Sequence, residues 1–331
     1  MVRTSLIAVS LLAITAPLAA QNRVVWSSRR PDAQPPLGVT AGRTLDEREI
    51  ELRYRFERVN FRGVWLDSDS LPLDVVLEDY PVAPLTLENT THYVGAAYAP
   101  TSDLTVMANM SFAQRTREQL NGTTGDLSIA EIDKLGDLEV SGLYKVFDQN
   151  GARAHLQVGA VVPVGAFDIQ ATDPLPYDMR PGGGTFAVIP GATAAAQNEF
   201  GTVGAQLKGT FYLGTNSIDY TPGDRLDGSA WASYRVDDHF SVSARTRYQS
   251  WGGFEGADPS LDPLRDPGND APFLGGRRVD VVTGVNVHLP EDSSLAGHRV
   301  SLEWIFPVHQ RYDGPQLGAD WGITLGWQAS F

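Results

Sequence analysis

Arg245 and Arg247 stand two residues apart, separated by Thr246 and flanked by Ala244 and Tyr248. In an extended strand that spacing puts both guanidinium groups on one face, one above the other. With Arg235 across the Asp237–His239 turn they would form a small basic column able to hold an anionic solute. The competing arrangement has them neutralised by carboxylates such as Asp280. His155, Ser141 and Glu139 supply the residue types of a hydrolytic triad on neighbouring segments. No nucleophile elbow accompanies Ser141, so nothing marks it as activated, and the reading assigns no catalytic residue and no enzymatic activity. The six histidines, His92, His155, His239, His288, His298 and His309, fall on separate segments without ligand spacing. No metal or cofactor is expected. Gly182-Gly183-Gly184 is followed by neither a helix nor a lysine, so it reads as a flexible or inward-folded loop rather than a phosphate loop.

What would position these residues is a series of strands. Ile50, Leu52, Tyr54 and Phe56 alternate with Glu49, Glu51, Arg53 and Arg55, giving one apolar and one charged face. The same period of two recurs over 104–112, 138–146, 154–162, 203–211, 240–248, 279–287, 300–308 and 321–331, with weaker strands over 91–99, 185–196 and 227–236. The count is about twelve strands. Pro190 cannot donate to a ladder and suggests a bulge. Short connections (100–103, 148–151, 197–201, 237–239, with a medium turn at 290–297) alternate with long ones (58–90, 115–135, 164–184, 214–226, 250–276, 309–318). Outer-membrane barrels sort their turns this way.

The two faces decide which solvent each meets. The charged face carries Arg53, Arg55, Glu139, His155, Lys208, Arg245, Arg247, Asp280 and Glu303. Burying such groups unpaired in a dry core would cost several kcal/mol each. An apolar exterior on every strand would aggregate in water, whereas lipid requires it. The expected fold is therefore all-β: an antiparallel transmembrane β-barrel over residues 47–331, in the bacterial outer membrane, with the charged residues as candidates to line a solute path. Aromatics at strand ends, among them Tyr54, Phe112, Tyr144, Tyr234 and Trp321, fit interfacial girdles. The last strand, with Trp327 and a terminal Phe331, has the form of the signal read by the barrel-assembly machinery.

Residues 1–20 read as a signal peptide: Arg3, a short apolar run from Leu6 to Ala16, and small residues at Ala19-Ala20. Residues 21–46, rich in Pro, Arg and Gly without a period, read as a periplasmic N-terminal segment. The 331 residues carry a net charge of −14 and no cysteine. The acidic balance argues against a nucleic-acid partner, and the missing cysteine excludes disulfides, thiolate sites and a lipoprotein anchor.

The sequence resembles the outer-membrane transporter family associated with the meta-cleavage pathway of phenol degradation. The matching stretches include Pro36-Leu-Gly-Val-Thr, Tyr93 to Met110, Gly136 to Tyr144, Leu175 to Phe186, Gly275-Gly-Arg-Arg and Asp313 to Leu317, together spanning most of residues 36–331. The resemblance implies a barrel that moves small, aromatic or hydrophobic solutes. Relatives carry His- and Met-rich stretches near the first strand. This chain has Ala41-Gly-Arg-Thr-Leu-Asp-Glu-Arg there and four methionines in all, which argues against soft-metal handling. The expected partners are outer-membrane lipid and lipopolysaccharide, the assembly machinery and a small-molecule solute. The expected path is narrow, constricted by charged side chains and an infolded loop, 164–184 or 250–276. The alternative is a structural or adhesive barrel acting through its loops, with Asp67, Asp69, Asp74, Glu78 and Asp79 binding divalent cations.

Overall fold

The structure, a computed structural model, describes residues 25–169, 174–290 and 294–331. The expected signal peptide lies outside the described residues. The strands are β1 (Ile50–Asp67), β2 (Asp69–Leu71), β3 (Val82–Tyr98), β4 (Leu104–Asn121), β5 (Leu127–Gln149), β6 (Ala152–Val162), β7 (Phe186–Gln197), β8 (Gly201–Leu213), β9 (Tyr220–Thr221), β10 (Arg225–Arg235), β11 (Phe240–Trp251), β12 (Glu255–Gly256), β13 (Gly276–His288) and β14 (His298–Ser330). One short helix, α1 (Leu73–Asp79), follows β2.

Consecutive wall strands pair antiparallel, and β1 pairs with β14 to close the ring. β2 adds to β1 outside the ring, and β9 pairs with β12 in the loops. β14 has 33 residues, which fully extended would reach about 110 Å. It doubles back instead: residues 299–312 pair with β13 and residues 312–330 pair with β1. The ring thus has eleven elements, the last counted twice, making twelve staves.

The alternation of residue types becomes an alternation of surroundings. Val158, Leu207, Phe306 and Leu325 point outward and are exposed, while Ser241, Arg245, Asp280, Glu303 and Thr324 point inward and are buried. Arg245 is 2% exposed and Val281, one row above on the neighbouring strand, is 39% exposed, so the charged face is the inner one. Tyr98, Tyr144, Phe200, Tyr234 and Phe331 are exposed at the short-turn end, where an interfacial girdle belongs. At that end Asn150 (φ 53) and Gly151 (φ 73) make a two-residue hairpin turn, which needs positive φ at both positions.

Three connections are shorter than the sequence suggested. β1 continues to Asp67, β4 runs to Asn121 and β5 starts at Leu127, and residues 309–318 lie inside β14. In these outer extensions the outward face meets water and turns polar, as at Arg58 and Arg62, while the inward face packs Val59 and Ile132 under the loops, so the expected apolar-out alternation fades while the ladder continues. Pro190 produces no bulge either. The β7–β8 ladder skips Ile189 and Pro190 and resumes in the same register, from Val188↔Phe211 to Gly191↔Lys208.

Candidate functional site

The inner face encloses a cavity of about 610 Å³ between the walls. Of the nine charged or polar residues picked out from sequence, Arg53, Arg55, Glu139, Lys208 and Arg247 line it. The other four sit inside the barrel but are covered. Arg245 pairs with Glu303 at 3.0 Å, with side chains 1% and 2% exposed. Asp280, fully buried, bridges Arg247 at 2.8 Å and Arg278 at 3.0 Å. Neutralisation by lumen carboxylates is therefore what both arginines of the column find, Arg245 by Glu303 and Arg247 by Asp280. Arg235 turns to Asp238 in the exposed turn. Arg55 lies over the Tyr93 ring, 4.0 Å from its centroid.

His155 and Ser141 do not meet. On the β5–β6 ladder His155 opposes Lys145 and Ser141 opposes Gly159, four residues apart, about 13 Å. The imidazole Nε2 contacts the Ala41 carbonyl at 2.9 Å, and the Ser141 hydroxyl accepts from Gln157 at 3.0 Å. Among the described residues no group of three metal-ligating side chains converges. Of the acidic first-loop residues, Asp67 pairs with Arg311 at 2.9 Å.

What covers the remaining wall residues is residues 25–46, read from sequence as a periplasmic segment. The structure puts them inside the short-turn end of the barrel, with Asp32, Ala33, Val39, Ala41 and Leu45 buried. The wall holds their main chain. Ser241 Oγ donates to Pro31 O at 2.9 Å, Arg299 Nη2 to Pro31 O at 3.2 Å, and Gln206 Nε2 to Thr40 O at 2.9 Å. Gly38 N–H donates to Glu303 Oε2 at 3.1 Å, and Leu45 N–H to Thr105 Oγ1 at 2.9 Å. Side chains anchor the two ends. Asp32 accepts from Thr202 at 2.7 Å, and Arg43 binds Glu49, Glu51 and Ser330. Leu45 and Ala41 pack with Met107 and Leu143. A side chain at Gly38 would have to push the Arg245 guanidinium aside, since a Cβ would lie 2.3 Å from its Nη2.

The long-loop end is covered by the described parts of three connections, residues 163–169 with 174–185, 214–224 and 252–275. Asp137 on β5 draws the first of them inward, accepting the N–H groups of Gly165 (2.9 Å) and Gly183 (2.8 Å). This is the structural use of the glycine triplet: a Cβ on Gly182 would stand 2.5 Å from the Gly165 carbonyl carbon. Tyr177, Tyr220, Leu261, Ala271 and Leu274 form a core between the loops. Arg180 bridges to Asp258 at 2.7 Å, and Tyr177 Oη accepts from Asp258 N–H at 2.8 Å. Burial would raise the Asp258 pKa, but hydrogen bonds from Ser260 and Arg180 hold it below the usual aspartate range. Arg117, fully buried on β4, reaches both loops: Asp178 at 3.2 Å and Asp266 at 2.8 Å. Burial dominates at Asp178 and leaves its carboxyl above the usual range despite Arg117.

Sequence reasoning missed Arg117 because it assigned residues 115–135 to a loop. The spacing of Arg115 and Arg117, two apart like Arg53/Arg55 and Arg245/Arg247, was the available signal. Glu57, Asp227 and Arg278 also line the cavity and were overlooked.

No protein-family model matches the sequence, and no curated protein matches it. The fold is similar to the crystal structure of an outer membrane channel from Pseudomonas putida F1, with a TM-score of 0.66 at 12% identity, covering 89% of this chain and all (100%) of that one. Weaker likenesses are to the transport unit of the autotransporter AIDA-I from Escherichia coli (TM-score 0.49, 11% identity, 89% of this chain, 93% of that) and to the TodX monoaromatic hydrocarbon channel (0.42, 13%, 88% and 92%). A closed antiparallel ring with a lipid-compatible exterior and a wet, charged interior is a bacterial outer-membrane β-barrel, and the chain resides in that membrane.

Proposed function

We propose that the protein is a channel for small solutes, closed by its own N-terminal segment on the periplasmic side and by folded loops on the outer side. The observation that carries this reading is the 610 Å³ cavity lined by charges of both signs inside an apolar exterior. A twelve-stave barrel that only displayed loops would have no use for a hydrated interior, and side chains could fill it. The sequence resemblance extends the proposal to aromatic or hydrophobic solutes of the kind handled beside a phenol meta-cleavage pathway. The aromatic and guanidinium surfaces of Tyr93, Arg55, Tyr212 and Trp251 on the cavity suit a flat ring. Lipopolysaccharide would surround the loop end, and the strand ending in Trp327 and Phe331 would be read by the assembly machinery. The test is reconstitution in planar bilayers and solute uptake into liposomes. Small, intermittent conductance steps that grow when either closure is weakened are expected. Silence from the parent protein and from variants weakened at both ends would remove the channel reading.

A further inference from the structure

The contacts that hold residues 31–45 have an unusual bias. Ser241, Arg299, Gln206, His155 and Thr105 engage carbonyls or an N–H of that segment, and Glu303 takes the Gly38 N–H. Six wall side chains thus address backbone, and only Asp32 and Arg43 are gripped tightly by their side chains. A permanent core element is normally fixed by packed apolar side chains. Here Ala33, Val39, Ala41 and Leu45 are buried, and of these Ala41 and Leu45 join a common apolar cluster. Polar side chains that meet main-chain groups are also how proteins bind a peptide with little regard to its side chains. Pro31, Pro35 and Pro36 fix φ along the segment, which turns at Arg30–Ala33 and Pro36–Val39 and is so pre-shaped, lowering the entropy lost on binding.

We propose that the short-turn half of the lumen is a binding site for a turned, proline- and glycine-bearing peptide, filled in the resting protein by the chain's own residues 31–45. The segment is then a tethered ligand. Its tether is the turn at Glu47–Arg48, whose side chains are 56% and 84% exposed. A short tether supplies an effective concentration on the order of millimolar, so even modest affinity keeps the site filled. Cutting the tether should turn an intramolecular contact into an ordinary equilibrium. Two features define what the site accepts. The central residue is best a glycine, because a Cβ at Gly38 would push the Arg245 guanidinium away from Glu303. An acidic residue and an arginine must sit at the spacing of Asp32 and Arg43.

The test uses the full-length protein with a protease recognition sequence inserted between Glu47 and Arg48, cut after folding. A fluorescent peptide of residues 25–46 is then added. The expected result is saturable incorporation of the label. A peptide with Gln34 replaced by alanine should compete within about tenfold, since the wall meets that residue through its carbonyl. A Gly38→Val peptide should fail. The wall variant His155→Ala with Gln206→Ala should release the cut segment roughly tenfold faster, two hydrogen bonds being lost. Heat-modifiable gel mobility verifies that each barrel is folded. A cut segment that neither leaves nor exchanges is a fixed part of the fold, and one that leaves while no peptide binds is held by its tether alone. Either result overturns the proposal. The readout is fluorescence, so exchange without conductance would refute the channel reading and leave this one standing.

Discussion

Replacing Arg117 with alanine should unlock the loop end of the lumen. The guanidinium is fully buried and contacts two carboxylates from two different loops, Asp178 and Asp266. Removing one side of a buried pair costs about 3–5 kcal/mol, because the partner is left charged and unpaired. Asp178 is 28% exposed and recovers some hydration, so the lower end, about 3 kcal/mol, is the better figure. That free energy shifts an opening equilibrium by about two powers of ten. The chain has no cysteine, so Ala271→Cys, at a position 1% exposed beneath the loops, is a clean reporter. Its labelling by a maleimide reports the open population. Arg117→Ala should speed labelling roughly a hundredfold. The triple variant Arg117→Met, Asp178→Asn, Asp266→Asn removes every charge of the cluster and should recover most of the protection. A folded Arg117→Ala barrel labelled within about threefold of the parent rate would refute the argument that this cluster latches the loops, since it would correspond to well under 1 kcal/mol.

Three other outcomes follow from the geometry. Leu207→Arg, on the lipid face, should destabilise the barrel by about 2–4 kcal/mol in denaturant titrations, whereas Thr210→Arg on the inner face should cost far less; equal losses would contradict the assignment of faces. Gly38→Val should drive the N-terminal segment off Arg245 and Glu303 and raise conductance, with an unchanged current trace as the contrary result. The Arg180–Asp258 clasp should depend on acid. The folded pKa of Asp258 lies below its unfolded value, so its contribution is full above the ordinary aspartate range and is lost as pH falls through the lowered value, below about pH 4. Labelling at Ala271→Cys should rise there, and Asp258→Asn should show the faster rate at every pH without that step.

The wall was legible because lipid and water lie on opposite sides of it. Wherever one face meets hydrocarbon, as at Leu52/Arg53 or Val242/Ser243, residue types alternate and the strand declares itself. Beyond the bilayer that contrast vanishes, which is why the ends of β1, β4 and β5 read as loops. The inward placement of Gly165 and Gly183 was foreshadowed by the glycine triplet, although their anchor, Asp137, lies on a different strand, far from it in sequence. Residues 25–46 were opaque for a different reason. Their place is set by carbonyls and N–H groups, which every residue carries, so side-chain identities record little of it. The pairing of Arg245 with Glu303 rather than Asp280 depended on cross-strand register, which alternation alone leaves free by two residues.

The Arg43 guanidinium also joins β1 to β14, touching Glu51 on one and Ser330 on the other, positions that flank the line where the cylinder is zipped shut. Arg43 and Ser330 are 287 positions apart, so the clip cannot form until ribosomal synthesis has delivered both. Seating the N-terminal segment and closing the ring are thereby tied to one another: the Arg43 clip is complete only where β1 meets β14.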